Sequence, residues 1–166
     1  LSDHIGTVPV VLSQPSDLQL VTGSAEERRH LMDNVISQAD ASYLRHLIRY
    51  SEALKQRNSM LRQGISDPVL LEAVESQMET AAAEVTATRK RWCDDMAAPF
   101  ATYYSLIAPG TETAGMAYGP SVKESSLSEA LERVRTRDAA LGYTTVGPHR
   151  DDIDIAINGL PARTYG

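Results

Sequence analysis

LLEAVESQMETAAAEVTATRKRW, residues 70–92, carries the clearest periodicity in the chain. Leu71, Val74, Met78, Ala81, Val85, Thr88 and Trp92 follow one another at spacings of 3, 4, 3, 4, 3 and 4. That is a heptad seam, the pattern of a helix packed along one partner, and its small central residues suit a close approach. Asp67-Pro68 starts this helix, with Asp67 as N-cap and Pro68 in the first helical position. The natural partner is the preceding helix, which Asp40 or Ser42 can cap and which runs to about Gln63. Its apolar positions include Leu44, Leu47, Ile48, Leu54 and Leu61. Gly64 stops it, and the short turn to Asp67 folds the two helices into an antiparallel hairpin. Pro99 is expected to kink or end the second of them before Phe100-Ala101-Thr102-Tyr103-Tyr104 resumes a helical stretch.

On the N-terminal side, Val8-Pro9-Val10-Val11-Leu12 reads as a strand, broken by the turn residues Gln14-Pro15-Ser16-Asp17. Ser24 lies three residues before Glu27, which is capping-box spacing. The helix it opens should run to about Gln38 and bury Leu31 and Val35, with Met32 and Ile36 beside them. On the C-terminal side, Ala114 to Tyr118 reads as a strand. Ser126 or Ser128 caps a helix through Leu131, Val134 and Ala140, ended by Gly142. Tyr143-Thr144-Thr145-Val146 reads as a strand, and Ile153, Ile155 and Ile157 alternate with polar neighbours in another. Asn158-Gly159 is a hairpin turn, with a return strand through Ala162 and Thr164. The expected fold is therefore α+β: an antiparallel helical hairpin arm attached to a small mixed sheet. Residues 1–39 and 109–166 form the sheet-bearing head segments, and residues 40–108 form the arm.

The chain has 166 residues, 42% of them apolar, enough for one real core. No apolar run is long enough to span a membrane, and no signal peptide opens the sequence, so a cytoplasmic protein without membrane contact is expected. The absence of an initiator Met and the abrupt stop at Gly166 read as the ends of a piece cut from a longer chain. Cys93 is the single cysteine, which excludes an internal disulfide and suits a reducing compartment. Asp94 and Asp95 beside it disfavour the thiolate, so a nucleophilic role is not expected. The net charge of −6 argues against the whole surface being a nucleic-acid platform. Between Arg28 and Arg62, however, seven basic residues face three acidic ones, a local net of +4. Such a stripe suits phosphate, or else it is a solvated helix face.

Gly147-Pro148-His149-Arg150-Asp151-Asp152 is the most chemically suggestive stretch. His149 with Asp151, Asp152 and Asp154 offers metal-ligand chemistry, although adjacent ligands on one turn rarely close a site. His-Arg-Asp also opens the kinase catalytic loop, but that loop needs Asn where this chain has Ala156, and no Asp-Phe-Gly follows. A turn satisfied by its own side chains is a third reading. The fourth is a family signature.

Thr144 through Ile153, then Ile157-Asn158-Gly159, Ala162-Arg163 and Tyr165-Gly166, resembles the segment just before the ABC signature of RecF proteins. Upstream, Pro15-Ser16-Asp17-Leu18, Gly23-Ser24, Arg28-Arg29, Met32-Asp33 and Leu54-Lys55-Gln56-Arg57-Asn58 resemble further RecF landmarks in the right order. Tyr103-Tyr104-Ser105-Leu106-Ile107 and Ala117-Tyr118-Gly119-Pro120 add weaker matches. The similarity covers nearly the whole chain.

The resemblance implies an ABC-type ATPase head like that of SMC proteins, with a short helical arm in place of a long coiled coil. It implies ATP and Mg²⁺ as cofactors of the full-length protein, DNA binding, and an ATP-dependent homodimer. It also implies action with RecO and RecR in loading RecA at gaps, in DNA repair, replication, recombination and the SOS response. No Gly-x-x-x-x-Gly-Lys-Ser/Thr occurs in these residues, and the ABC signature and Walker B carboxylate would follow Gly166. No catalytic residue is assigned, and this stretch alone is expected neither to hydrolyse ATP nor to bind it tightly. Gln14 sits where the Q-loop glutamine of ABC ATPases lies, or is simply a turn residue. Arg28, Arg29, Lys55 and Arg57 are the expected DNA contacts, against a reading as surface cations paired with nearby acids. Two other classes remain beside this: a non-enzymatic helical interaction module without a DNA role, and a metal-dependent hydrolase centred on His149.

Overall fold

The computed structural model describes residues 10, 12–65, 67–108 and 110–164. The chain divides into two compact units, one of residues 1–40, 88–119 and 151–166, the other of residues 41–87 and 120–150.

The second unit is helical and grows from the heptad seam. Helix α3 (Ala41–Arg62) precedes α4 (Pro68–Ile107), which contributes its first half here, and α5 (Leu127–Leu141) completes the unit. The ends follow the capping chemistry. Asp67 Oδ1 accepts from the Val69 amide at 2.9 Å and the Leu70 amide at 3.4 Å. Ser126 Oγ accepts from the Glu129 amide at 3.1 Å, and Gly142 ends α5 at φ +74°. Leu71, Val74, Met78 and Ala81 join Tyr50, Ala53 and Met60 of α3 and Leu127, Leu131 and Val134 of α5 in one buried cluster. Hydrophobic burial here draws on three helices, so α5 shares the core of the hairpin.

The first unit carries the sheet. Before the sheet come α1 (Gln19–Thr22) and α2 (Ala25–Ala39). Strand β1 (Ala114–Gly119) pairs antiparallel with β2 (Asp152–Ile157), with Ala114 opposite Ile157 and Gly119 opposite Asp152. Strand β3 (Leu160–Pro161) returns antiparallel after Asn158 and Gly159, whose φ values of 51° and 76° are those of a type I′ turn. Both pairings are antiparallel, and the expected α+β fold of helices with a small sheet is borne out. Met32, Ile36, Cys93 and Ile153 are buried in this unit.

Several elements depart from expectation. Helix α4 runs through Pro99 without a break. Pro99 removes the donor that the Asp95 carbonyl would use, but both residues are exposed, so water can take that carbonyl. Leu31 is 39% exposed, and α2 instead buries Arg28, Met32 and Ile36, one turn apart. The α4 seam is buried through Val85 and then passes from Thr88 and Trp92 to Arg89 and Cys93. A straight 3.6-residue helix drifts off a 3.5-residue stripe, and the buried face moves accordingly. Residues 143–146 form no strand. The return strand stops at Pro161, which has no amide to extend the ladder, and Ala162–Thr164 turns into a 3-10 helix. Of the expected first strand, only Val10 and Leu12 lie among the described residues, and neither is in a strand. No helix of the described residues is long and apolar enough to cross a membrane.

Candidate functional site

The motif Gly147 to Asp152 is shared between the units, its first four residues in the helical one and its two aspartates in the other. Each half is held by a network of its own.

In the helical unit, Pro148–Arg150 is a 3-10 turn entered through Gly147 at φ +123°. That φ excludes most side chains, and a Cβ at Gly147 would stand 2.5 Å from the Tyr50 hydroxyl. The Gly147 amide donates to Ser121 Oγ at 3.0 Å, and that hydroxyl donates to the Gly147 carbonyl at 2.8 Å. His149 is fixed at both ring nitrogens. Nε2 lies 3.0 Å from the Thr144 carbonyl, which can only accept, so Nε2 carries a proton. Nδ1 then accepts from the Tyr50 hydroxyl at 2.6 Å in the neutral ring. Arg150 is exposed, its guanidinium 5.5 Å from the centroid of the Tyr143 ring.

The loop leading into this turn is anchored by Arg57 and Asn58. Arg57 is fully buried. Its Nε donates to Glu75 Oε1 at 2.9 Å, and its Nη1 donates to Asp138 Oδ2 at 2.7 Å and Thr144 Oγ1 at 2.8 Å. Asn58 Oδ1 accepts from the Thr144 amide and hydroxyl at 2.8 and 2.7 Å. Asp138 Oδ1 accepts from the Thr145 hydroxyl at 2.7 Å and its amide at 3.1 Å. These side chains take the bonds a sheet ladder would have made, which is why residues 143–146 need no partner strand. Burial of two carboxylates against one guanidinium is offset by the bonds from Arg57 Nε and Nη1 and by a second cation, Arg135, 2.9 Å from Glu75 Oε2, while Arg57 Nη2 stays buried without a partner among the described residues.

In the sheet unit, Arg28 and Asp152 form a bidentate pair at 2.7 and 3.0 Å, and Arg28 Nη1 also donates to the Leu20 and Gly23 carbonyls at 3.1 Å each. The adjacent Arg29 donates to the Asp151 carbonyl at 2.6 Å. The Asp151 carboxylate accepts from the Tyr118 hydroxyl and lies 3.6 Å from Arg89, which is itself forked onto Asp33 at 2.9 and 3.0 Å. Burial works to raise the Asp152 carboxyl, but the Arg28 bond, the Ile153 amide and the Arg29 charge outweigh it and hold the pKa below the ordinary range. Burial, then the nearby charge of Arg89, lowers Arg29.

Of the four cations expected on DNA, Arg28 and Arg57 are buried, Arg57 with its Nη2 left without a partner among the described residues, Arg29 is half-buried on the Asp151 carbonyl, and Lys55 is exposed. Gln14 is exposed and takes part in a turn, its amide donating to Asp17 Oδ2 at 2.9 Å and its carbonyl accepting from the Asp17 amide at 2.9 Å. Asp151 and Asp152 are both committed to arginines, so neither stands ready as a general base or a metal ligand. No group of three or more His, Cys, Asp or Glu able to hold a metal ion occurs among the described residues. Sequence reasoning missed the buried cation Arg89 and the carboxylates Asp33, Glu75 and Asp138 that neutralise the buried arginines. Their only advance signal is that a charge on a buried helical face requires an opposite charge. Tyr50 gives no signal of its bond to His149. The arrangement binds protein to protein: it sets the backbone of the motif rather than performing chemistry on a substrate.

No protein-family model matches the chain. It is 38% identical over its full length to a protein named DNA replication and repair protein RecF from Porphyromonas gingivalis, spanning 46% of that relative. Proteins of the same name from Parabacteroides distasonis and Bacteroides fragilis are 37% and 38% identical, again over the whole chain, which spans 46% and 45% of them. The chain thus spans about half the length of the curated relatives it matches. Two solved structures of the recombination mediator protein RecF in the RecFOR pathway, one with ATPrS and one with ATP, superpose with TM-scores of 0.90 and 0.88 at 26% and 27% identity. They cover 99% and 98% of this chain, which covers 47% and 46% of theirs.

Proposed function

We propose, from the premise that this chain is RecF-like along its whole length, that it is the DNA-contacting and motif-bearing stretch of a DNA replication and repair protein of the RecFOR pathway. One observation carries the reading: Arg28-Arg29 and Asp151-Asp152, the landmarks on which the resemblance rests, are bonded to one another across more than 120 residues of sequence. Residues that match a family pattern and also build its internal frame are doing there what a fold-defining pattern requires.

In the whole protein, ATP and Mg²⁺ would be held by residues outside this stretch, which has no P-loop. Gln14 would meet the nucleotide as the Q-loop glutamine, ATP would join two heads as a homodimer, and RecO and RecR would be the partners in loading RecA at gaps. DNA contact is assigned to the exposed cations of α3, Lys55 with Arg45, Arg49 and Arg62, none of which makes an ion pair among the described residues. Arg28 and Arg29 hold the frame of the sheet unit and Arg57 that of the helical unit. The test is binding of labelled DNA by the chain across a salt series. Affinity that falls steeply with ionic strength supports phosphate contact, and no binding at low salt refutes it.

A second reading, a helical module for a protein partner with no DNA role, is favoured by Val69 and Leu70 at the start of α4, which are 73% and 52% exposed. Binding of a partner through those side chains would be insensitive to salt.

A further inference from the structure

Of the motif's four residues in the helical unit, Gly147 and Pro148 are buried, His149 is bonded through both ring nitrogens, and only Arg150 is exposed. The Arg150 amide donates to the Gly147 carbonyl at 2.8 Å and closes the turn. Its guanidinium lies 5.5 Å from the centroid of the Tyr143 ring, and Tyr143 is itself 40% exposed. The backbone beneath Tyr143 is anchored on both sides, by the left-handed Gly142 and by the Thr144 amide on Asn58. Arg62, the last residue of α3, packs its stem here: a Cβ at Gly142 would stand 3.4 Å from Arg62 Cγ. Lys55 lies two turns earlier on α3, with Asn58 between it and Arg62. Lys55, Arg62 and Arg150 make no ion pair among the described residues. No acidic residue occurs from Ala53 to Gln63 or from Gly142 to Arg150. The carboxylate of Asp138, one turn before Gly142, is fully buried and bonded to Arg57.

A guanidinium over an aromatic ring is weakly hydrated and held in place, and both groups take the face of a nucleobase. α3 and α5 both end beside this pair, so the backbone there presents carbonyls, which repel an anion, and only side chains can meet phosphate. An acidic peptide would use the cations and leave the ring idle. Inside a duplex both faces of every base are covered by its neighbours, so the pair has a base to meet only where a strand is unpaired. We propose that Tyr143 and Arg150 form a stacking platform for a base of an unpaired DNA strand, with Arg62 and Lys55 on the phosphates beside it. The proposal rests on the DNA reading above and adds to it a strand preference and an address. The inward bonds of the motif then serve the platform: an anchored turn holds Arg150 over Tyr143 before the strand arrives, so little side-chain freedom is lost on binding.

The experiment is fluorescence anisotropy of a labelled oligothymidine titrated with the 166-residue chain. An abasic strand and a duplex of the same length run in parallel, with polyglutamate as a competitor. The variants are Tyr143→Ala, Tyr143→Phe, Arg150→Ala and Arg62→Ala, with Lys123→Ala as a control that removes an exposed cation at the other end of α5. Circular dichroism of each variant confirms unchanged helix content. Tyr143→Ala and Arg150→Ala should each weaken oligothymidine binding on the order of tenfold, while Tyr143→Phe, which keeps the ring, and Lys123→Ala should leave it unchanged. Tyr143→Ala should not alter the slope of log affinity against log salt, because a neutral ring displaces no counterion, and Arg62→Ala should flatten it by about 0.7. The abasic strand should bind more weakly than oligothymidine and be indifferent to Tyr143→Ala. If the chain binds oligothymidine but Tyr143→Ala binds as well as the original, or the abasic strand binds equally, the platform is overturned while the DNA reading stands. Polyglutamate that competes as well as unlabelled oligothymidine reduces the site to a cation patch and likewise overturns the platform. Tighter binding of the duplex overturns the strand preference, and no binding of any DNA probe overturns both readings.

Discussion

Arg57 and Lys55 sit two positions apart on α3, yet one is fully buried between two carboxylates and the other points to solvent. Their substitution should separate sharply. Arg57→Ala strands Glu75 and Asp138 as buried charges, and breaking a pair of that kind costs about 3–5 kcal/mol. Lys55→Ala touches no partner and should stay within about 0.5 kcal/mol. Urea denaturation of both variants checks this, and equal stability would mean that Arg57 is not buried as described. Asp152 gives a pH signature. Its folded pKa is depressed, so the stability it contributes is present above the unfolded carboxylate value of 3.8 and is lost as pH falls through the folded value. Acid unfolding of Arg28→Ala should therefore begin at higher pH than that of the original chain, and the stability gap between the two should narrow once Asp152 is protonated in both. A gap that stays constant with pH would break the link to Asp152. Cys93 works in the opposite sense. Burial first, and Asp94 second, push its thiol up to about 11. The neutral thiol is kept, so its contribution is intact below 9.0 and is lost as pH rises through the folded value. Native Cys93 should accordingly resist iodoacetamide at about pH 8 and react promptly once urea exposes it. Fast labelling of the folded chain would contradict the burial.

At the scale of elements, α4 carries a testable oddity in its uninterrupted passage through Pro99. Pro99→Ala restores an amide to the Asp95 carbonyl and removes a ring from the helix interior, where proline costs about 3 kcal/mol relative to alanine. Because Pro99 is exposed and touches no core, thermal unfolding should shift upward with little else changed. A fall in melting temperature would mean that proline is fitted to a distortion of the helix. The elements that sequence makes legible are those set by local chemistry. Asp67, Ser126 and Gly142 mark helix ends through bonds to residues a few positions away, and Asn158-Gly159 sets its turn by its own φ values. Residues 143–146 were illegible for the converse reason. Their β-branched run has the composition of a strand, but Asn58 and Asp138 satisfy it from 86 and 7 residues away, and nothing local announces that. The same limit governs the candidate site. The motif could be found as a string, whereas the roles of Arg28 and Arg57 depend on partners that only folding brings near.

For the molecule as a whole, the balance of charge decides what kind of DNA contact is feasible. The chain carries a net −6, and the stretch from Arg28 to Arg62 looks basic on paper. Much of that excess is spent internally, since Arg28 is neutralised by Asp152 and Arg57 by Glu75 and Asp138. What remains at the surface of α3 is a handful of cations: Arg45, Arg49, Lys55 and Arg62. A set of that size meets few phosphates, and the acidic remainder repels the rest of the strand. With roughly three contacts on single-stranded DNA, log affinity should fall against log salt with a slope of about −2, far shallower than that of a protein clad in basic residues. Adding charge elsewhere should raise the association rate through the general field without changing that slope, because long-range attraction steers encounter while only direct contacts displace counterions. Glu132→Gln on α5, an exposed position away from α3's cations, is the variant for this. Stopped-flow association at low salt should quicken modestly, and the equilibrium slope should stay at that of the original chain. A slope that steepened with Glu132→Gln would place DNA across α5 as well, and the contact surface would have to be redrawn to include it.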